Sequence, residues 1–209
     1  ETFRLLPEKA IHWPAEKTLF VADPHFGKSA TFRKVGIPIS DENSKDDCKK
    51  LLTLCENTQV RKIIFLGDFL HARQGRSDSV RKLLGEWRSN CLEIELHLVR
   101  GNHDRKSGDP WQELDIRCHD EPLSIKSWHC RHHPMEDPKV PHLAGHLHPG
   151  FSIRGKSRTG VRSACFQVSE NRIILPAFGS FTGLMEIKPM QGDRIFMTNE
   201  HEIVPLPPF

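Results

Sequence analysis

Short apolar runs alternate along this chain with stretches whose apolar residues recur at helical spacing. Thr18-Leu-Phe-Val-Ala22, Lys62-Ile-Ile-Phe-Leu66 and residues 93–99 read as three buried strands. Between them, residues 46–56 place Cys48, Leu51, Leu52, Leu54 and Cys55 on one helical face, and residues 79–90 do the same with Val80, Leu83, Leu84 and Trp87. Residues 123–130 and 142–144 are strand-like. The last third changes character: residues 151–154, 163–168, 172–175, 184–188 and 194–197 are short strands at hairpin spacing. A β-α-β-α-β half followed by a strand-rich half predicts parallel strands at the core and an antiparallel second sheet. Two mixed sheets packed face to face, with helices outside, make an α/β fold of four layers, an α-β-β-α sandwich. No internal repeat, low-complexity tract or charge block marks a linker, so residues 1–209 are expected to form a single domain.

Composition narrows the class without deciding it. An apolar share of 37% and a charged share of 27% fit a folded chain rather than a disordered one. No apolar run approaches the roughly 20 residues of a membrane span. Residues 1–11 lack the basic flank and apolar stretch of a secretory signal, so a cytoplasmic enzyme without membrane contact is expected. The net charge of +3 says little about nucleic acid. Cys48, Cys55, Cys91, Cys118, Cys130 and Cys165 form no Cys-x-x-Cys pair, which favours six reduced thiols over a zinc ribbon or disulfide scaffold. The thirteen histidines are more informative, because imidazole is the commonest metal ligand.

Each early strand ends on residue types that bind metals, and ligands of open α/β sheets collect at the carboxyl ends of strands. Asp23 and His25 follow the first strand two residues apart, and continued extended backbone would aim both to one side. Asp68 follows Gly67; Asn102, His103 and Asp104 follow Gly101; His146 and His148 follow Gly145. Turn chemistry accounts for any one of these neighbourhoods, but four of them in order point to a shared metal centre. Carboxylate and amide oxygens mixed with imidazoles suit borderline divalent metals: manganese, iron, zinc, cobalt or nickel. Two such ions roughly 3.5–4 Å apart clamp the attacking and leaving oxygens of an in-line phosphoryl displacement. Asp68, alone at its strand end, is the natural bridging carboxylate.

The ordered series Asp23-x-His25, Gly67-Asp68, Gly101-Asn-His-Asp104, His132 and Gly145-His-x-His148 resembles the calcineurin-like metallophosphoesterase superfamily. That resemblance implies a binuclear metal site at the strand carboxyl ends. It assigns Asp23, His25, Asp68 and His148 to one metal, and Asp68, Asn102, His132 and His146 to the other. It makes His103 a non-ligand acid/base, with Asp104 orienting its ring; an imidazole held by a carboxylate suits proton transfer near neutral pH. His129, His132 and His133 compete for one ligand position. His132 is preferred because it stands two residues before Pro134, and His133 is the rival. His71, just after Asp68, is placed at the cleft rim, and the remaining histidines read as surface or packing residues.

A narrower resemblance runs through Leu5-Leu-Pro-Glu-Lys-Ala10, Ala22-Asp-Pro-His-Phe-Gly-Lys28, Phe32-Arg33, Gly36-Ile-Pro38, Gly145-His-Leu-His-Pro149, Leu175-Pro-Ala-Phe-Gly179 and Thr182-Gly183. These are similar to the bacterial ligase-associated DNA damage response endonucleases, although Pro24 stands where an apolar residue is expected. The family implies manganese-dependent nuclease or phosphodiesterase action on DNA, beside a ligase and a helicase. Lys28, Arg33, Lys34, Arg73, Arg76, Arg100, Arg105 and Lys106 fall near the ligand positions and favour a polyanionic substrate, with Lys28, Arg33 and Arg105 the first choices for contact. The stretch Arg154-Gly-Lys156-Ser-Arg158-Thr-Gly-Val-Arg162 reads as a basic hairpin tip or an ordinary loop. The expected reaction is hydrolysis of phosphodiester bonds with no covalent enzyme intermediate. The alternative is a phosphomonoesterase, or a nucleotide or cyclic-nucleotide phosphodiesterase, on the same scaffold. A non-catalytic protein-binding module would have lost ligands or the acid/base histidine, and here all are present.

Overall fold

The computed structural model describes residues 1–40, 42–136, 138–154 and 160–209. Its first sheet has six strands in chain order: β1 (Arg4–Leu6), β2 (Ala10–Trp13), β3 (Thr18–Val21), β4 (Lys62–Phe65), β5 (Glu95–Val99) and β6 (Ile116–His119). β1 to β3 form an antiparallel meander, and β3 to β6 run parallel. Parallel neighbours need crossovers. Helices α1 (Lys28–Lys34) and α2 (Glu42–Thr58) join β3 to β4, α3 (Asp78–Ser89) joins β4 to β5, and the short α4 (Asn102–Ser107) follows β5.

The continuous apolar runs have a simple cause. Leu19, Val21, Ile63, Phe65, Leu96 and Leu98 face one way and pack against Leu51 and Leu54 of α2 and Val80, Leu84 and Trp87 of α3. Alternate residues Phe20, Ala22, Ile64, Leu66 and Val99 face the other way, into a core shared with Cys130, Leu143, Phe166, Ile173 and Leu175. Both faces of the sheet are covered, so both sets of positions are apolar.

The second sheet contains β7 (Leu123–Ile125), β8 (Trp128–Cys130), β9 (His142–Ala144), β10 (Pro149–Arg154), β11 (Gly160–Ser169), β12 (Arg172–Ile174), β13 (Met185–Glu186), β14 (Arg194–Thr198) and β15 (Ile203–Pro205). Its path is β13-β10-β11-β12-β9-β8-β7, with β14 also on β11 and β15 on β14. The strand-rich half alone suggests antiparallel pairing; the sheet is mixed, as the expected fold of two mixed sheets requires. β9 enters between β8 and β12 and runs parallel to both, and β10 runs parallel to β13. The strand-like stretch 123–130 is a hairpin that turns at Lys126, whose φ is +53°.

All four α-helices end by Ser107, and among the described residues the outer face of the second sheet carries none. Cys165, Ile187, Ile195 and Met197, with Phe151 and Leu206, form a small apolar cluster on that face instead. All six cysteines are free thiols, five of them buried.

Candidate metal centre

β3, β4, β5 and β9 deliver their carboxyl ends to one edge, where the chain turns within one or two residues of each. The turning residues are the motif residues themselves. Asp23, His25, Asp68, His146 and His148 all have φ between +47° and +70°. Left-handed backbone costs a non-glycine residue about 1–2 kcal/mol and persists where surrounding structure over-determines it. Asp23 and His25 therefore do not share a face through extended backbone, as their spacing predicted. Each is turned into the site singly, and the turn is held by Asp23 N–H donating to the Gly67 carbonyl at 3.3 Å and His25 N–H to the Asp68 carbonyl at 3.0 Å.

The glycines before the motifs form a floor under these side chains. A Cβ at Gly67 (φ +86°) would lie 2.0 Å from His132 Nδ1, one at Gly101 2.2 Å from Asp68 Oδ1, and one at Gly145 2.6 Å from Asp23 Oδ2. No side chain fits at any of the three.

Two groups of donor atoms result, and they share Asp68. In the first, Asp23 Oδ1 lies 3.7 Å from His148 Nε2, which is 3.3 Å from His25 Nε2, itself 3.8 Å from Asp68 Oδ2. In the second, His132 Nε2 lies 3.0 Å from both Asn102 Oδ1 and His146 Nδ1, and 3.5 Å from Asp68 Oδ1. The two oxygens of Asp68 thus face different groups. His132 Nδ1 sits 3.0 Å from the Leu66 carbonyl and donates to it, so the lone pair of Nε2 faces Asn102 and His146. His132 is fully buried, whereas His133 stands at the rim with Nδ1 2.7 Å from Glu121 Oε1. His132 is buried beside Asp68 and Asn102, while His133, at the rim, joins His132 and His146 in a further group whose ligand atoms all lie within 4.8 Å of one another.

The chain atoms leave a charge problem that a cation solves. Asp23 Oδ1 is buried without a hydrogen-bond partner, while Oδ2 accepts from His146 N–H at 2.8 Å. A buried oxygen left unpaired is costly. Burial pushes the Asp68 carboxyl up; Asp23 beside it adds to that, and His132 opposes it. Burial, then the neighbouring His148, His71, His103 and Lys28, drives His25 far down, and His146 is lowered by burial and by His132 and His133. Neutral imidazoles around crowded carboxylates are the donor chemistry of a divalent metal site.

His103, the second residue of α4, donates its backbone N–H to Asp68 Oδ1 at 2.9 Å. Its ring Nδ1 hydrogen-bonds the carbonyl of His71, which leaves Nε2 facing the site, 3.9 Å from Asp68 Oδ2. The expected orienting role of Asp104 is therefore corrected. The Asp104 carboxylate is buried and accepts from the backbone N–H groups of Asp68 (2.7 Å), Phe69 (2.9 Å), Leu70 (3.4 Å) and Gly101 (2.9 Å). It clamps the turn after β4 to the start of α4, and His71 orients the ring. Burial holds the Asp104 carboxyl up, at about 6, against those donors. His71 also stacks on His103, with centroids 5.0 Å apart, and its Nδ1 is 3.3 Å from His25 Nδ1. His71 belongs to the site rather than to its rim.

Glu121 is a residue that no motif flags. Its Oε2 accepts from the backbone N–H of His132 at 3.0 Å and of His133 at 3.1 Å, fixing the turn that carries the buried donor. The basic rim is more committed than expected. Arg100 forms a bidentate pair with Asp109 at 2.7 Å, Arg76 donates to the Gly108 and Asp109 carbonyls, and Arg33 donates to the Ile39 carbonyl at 2.7 Å. Arg105 lies 3.7 Å from Asp120. Lys28 stands over the Phe181 ring at 5.5 Å and within electrostatic reach of His25 and His71. Residues 155–159 of the basic hairpin stretch lie outside the described residues.

The sequence profile of the calcineurin-like phosphoesterases matches residues 16–139. Among solved structures, the Pseudomonas putida nuclease MPE superposes with a TM-score of 0.85 at 37% identity, over 98% of this chain and 94% of that one. The E. coli phosphoesterase YfcE aligns over 90% of this chain and 96% of its own at 12% identity, with a TM-score of 0.43, too low to carry an argument. No curated protein matches the chain.

Proposed function

Because the chain belongs to the calcineurin-like phosphoesterase family and is a metal-dependent phosphoesterase, we propose that it is a nuclease that hydrolyses the phosphodiester bonds of DNA with two divalent ions, manganese foremost. The observation that carries this reading is the pair of donor groups meeting at Asp68, with the buried, unpartnered Asp23 Oδ1 between them. In this reading Asp23, His25, Asp68 and His148 hold one ion, and Asp68, Asn102, His132 and His146 the other. The likeness to a nuclease over nearly the whole chain supports a nucleic acid over a small phosphoester, and the flanking motifs favour DNA. Action in DNA repair beside a ligase and a helicase belongs to the same proposal and rests on the flanking motifs; a deletion strain as resistant to DNA damage as its parent would remove it. Among the described residues no helix is long and apolar enough to cross a membrane.

When bound, the two ions supply Lewis-acid charge for the phosphoryl oxygens and lower the pKa of water. The chain's own residues handle the leaving group. Because His103 Nδ1 is tied to the His71 carbonyl, Nε2 of this partly exposed ring is the atom that carries a transferable proton, beside the buried Asp68. Protonated there, it gives that proton to the departing alkoxide, which is a poor leaving group without it. Asp104 keeps His103 in place indirectly, by holding α4 to the turn at Asp68.

A substrate panel on the manganese-loaded protein tests the proposal. Single-stranded DNA, duplex DNA, mononucleotides, cyclic nucleotides and an aryl phosphodiester are compared side by side. DNA and the aryl diester should be hydrolysed, with salt-sensitive binding of the polymer. Faster turnover of mononucleotides or cyclic nucleotides would favour the small-substrate alternative, and no turnover with any divalent metal would sink both.

A further inference from the structure

The second donor group opens into a groove of about 680 Å³ that the proposed reaction leaves unused. His133 and His146 stand at its head, and Leu147, Ile174 and Ile187 supply apolar walls. Farther along is Arg172, the first residue of β12, paired in register with His142 and so four residues before His146 on the adjoining strand. Arg172 is 7% exposed. Its Nη1 donates to the Met135 carbonyl at 3.3 Å, its Nε has no hydrogen-bond partner, and among the described residues no carboxylate lies within ion-pair distance of it.

A buried guanidinium without a counter-charge is costly. Arg88, also buried and also with an unpartnered Nε, has the Asp115 carboxylate at 3.7 Å and two carbonyl acceptors. Arg172 has one carbonyl. Lys188 adds an exposed ammonium to the same groove. Of the acidic residues there, Glu186 is occupied by Ser152 and by Arg162 at 3.2 Å, and Glu136 is exposed.

We propose that this groove is an anion subsite that holds a backbone phosphate flanking the scissile one, with Arg172 as its buried anchor and Lys188 as its outer contact. The inference rests on the nuclease reading and sharpens it, because a mononucleotide has no second phosphate to place there. A guanidinium matches phosphate oxygens in pairs, and the apolar walls leave room for the attached sugar and base.

The test is equilibrium binding of a single-stranded oligonucleotide to the manganese-loaded His103→Ala protein, which holds substrate without cutting it, across a salt series. Adding Arg172→Gln should weaken binding roughly five- to tenfold at low salt and flatten the salt dependence by about 0.7 in log–log slope, one phosphate contact on a single strand. Arg172→Lys should keep most of the slope, and a dinucleotide with a single phosphate should bind both proteins equally. An unchanged oligonucleotide slope, or equal weakening for the dinucleotide, overturns the proposal. So does loss of melting temperature and retained manganese without a change of slope, since that is a structural role. Inorganic phosphate binding that depends on Arg172, with the oligonucleotide slope unaffected, assigns the groove to free phosphate instead. Lys188→Gln is the second variant should Arg172→Gln fail to fold, and an unaltered slope there also refutes the subsite. Failure of the nuclease reading is seen separately, as a wild-type protein that binds the oligonucleotide but never cuts it.

Discussion

Gly67→Ala puts the geometry of the site to a quantitative test. The new methyl would sit 2.0 Å from His132 Nδ1, with the ring's Cγ at 2.4 Å and its Cβ at 2.8 Å. Ordinary carbon contacts begin near ~3.5 Å, so the ring must retreat by roughly 1 Å or more. It has nowhere to go without loss, because Nδ1 is bonded to the Leu66 carbonyl and Nε2 lies between Asn102 and His146. Holding alanine at a φ of +86° adds a cost of about 1–2 kcal/mol. A broken buried hydrogen bond adds about 1 kcal/mol more, for a total of about 2–3 kcal/mol. A misplacement of about 1 Å costs on the order of 10²-fold in rate. Urea unfolding, manganese retained after desalting and DNA cleavage together form the assay, with Gly85→Ala as the control. Nothing lies within 4 Å of a Cβ at Gly85 in α3, so that change should keep metal and rate and add up to about 1 kcal/mol of stability. A Gly67→Ala protein with full metal content and normal turnover would refute the floor argued from the three glycines.

His103→Ala should lose roughly 10²–10⁴-fold on DNA, whose leaving group is an alkoxide, with metal content unchanged. The loss on an aryl phosphodiester should be much smaller, because a phenolate departs without a proton; equal losses on both would mean that His103 positions substrate instead of protonating it. Glu121→Gln gives up the bond to the His133 ring and loosens the turn at His132, so it should weaken one of the two metal sites about 10–100-fold while sparing the other. Superimposable manganese titrations would speak against it. His142 is held neutral by burial and then by Arg131 and Arg172, at about 4 against an ordinary 6.5, and its Nε2 accepts from Met135 N–H. Between those values the unfolded chain binds the extra proton, so stability rises from pH 4 to 6.5 and is lost as pH falls, by up to about 3 kcal/mol. His142→Gln keeps an acceptor and should flatten that slope; parallel unfolding profiles for the two proteins would contradict the assignment.

The parallel core and the four strand ends were legible because each strand's apolar run stops at a glycine or turn beside Asp, Asn or His. Burial on both faces and ligation at carboxyl ends leave that local signature. Other features depend on where distant segments meet. Nothing local in the sequence says that the Asp104 carboxylate takes four backbone donors instead of an imidazole, or that the His71 carbonyl turns the His103 ring. Glu121 acts on His132 from eleven residues upstream, across the β7–β8 hairpin. The left-handed backbone at Asp23 and His25 hides behind a strand pattern, because spacing of two fits extended chain equally well. β9 runs parallel between β8 and β12 through pairings that alternation alone does not encode, so strand spacing by itself suggests only hairpins there. What separates His132 from His133 is burial and the reach of the His132 ring to Asn102, neither written in the local sequence, and both rings come near His146.

Manganese stoichiometry at equilibrium tests the central claim most directly. The wild-type chain should bind two ions. His148→Ala and His132→Ala should each retain one, and Asp68→Ala should retain neither tightly, because its two oxygens face the two donor groups at 3.8 Å and 3.5 Å. A single ion in the wild type, or two ions held undiminished by Asp68→Ala, would contradict a binuclear site built around that carboxylate.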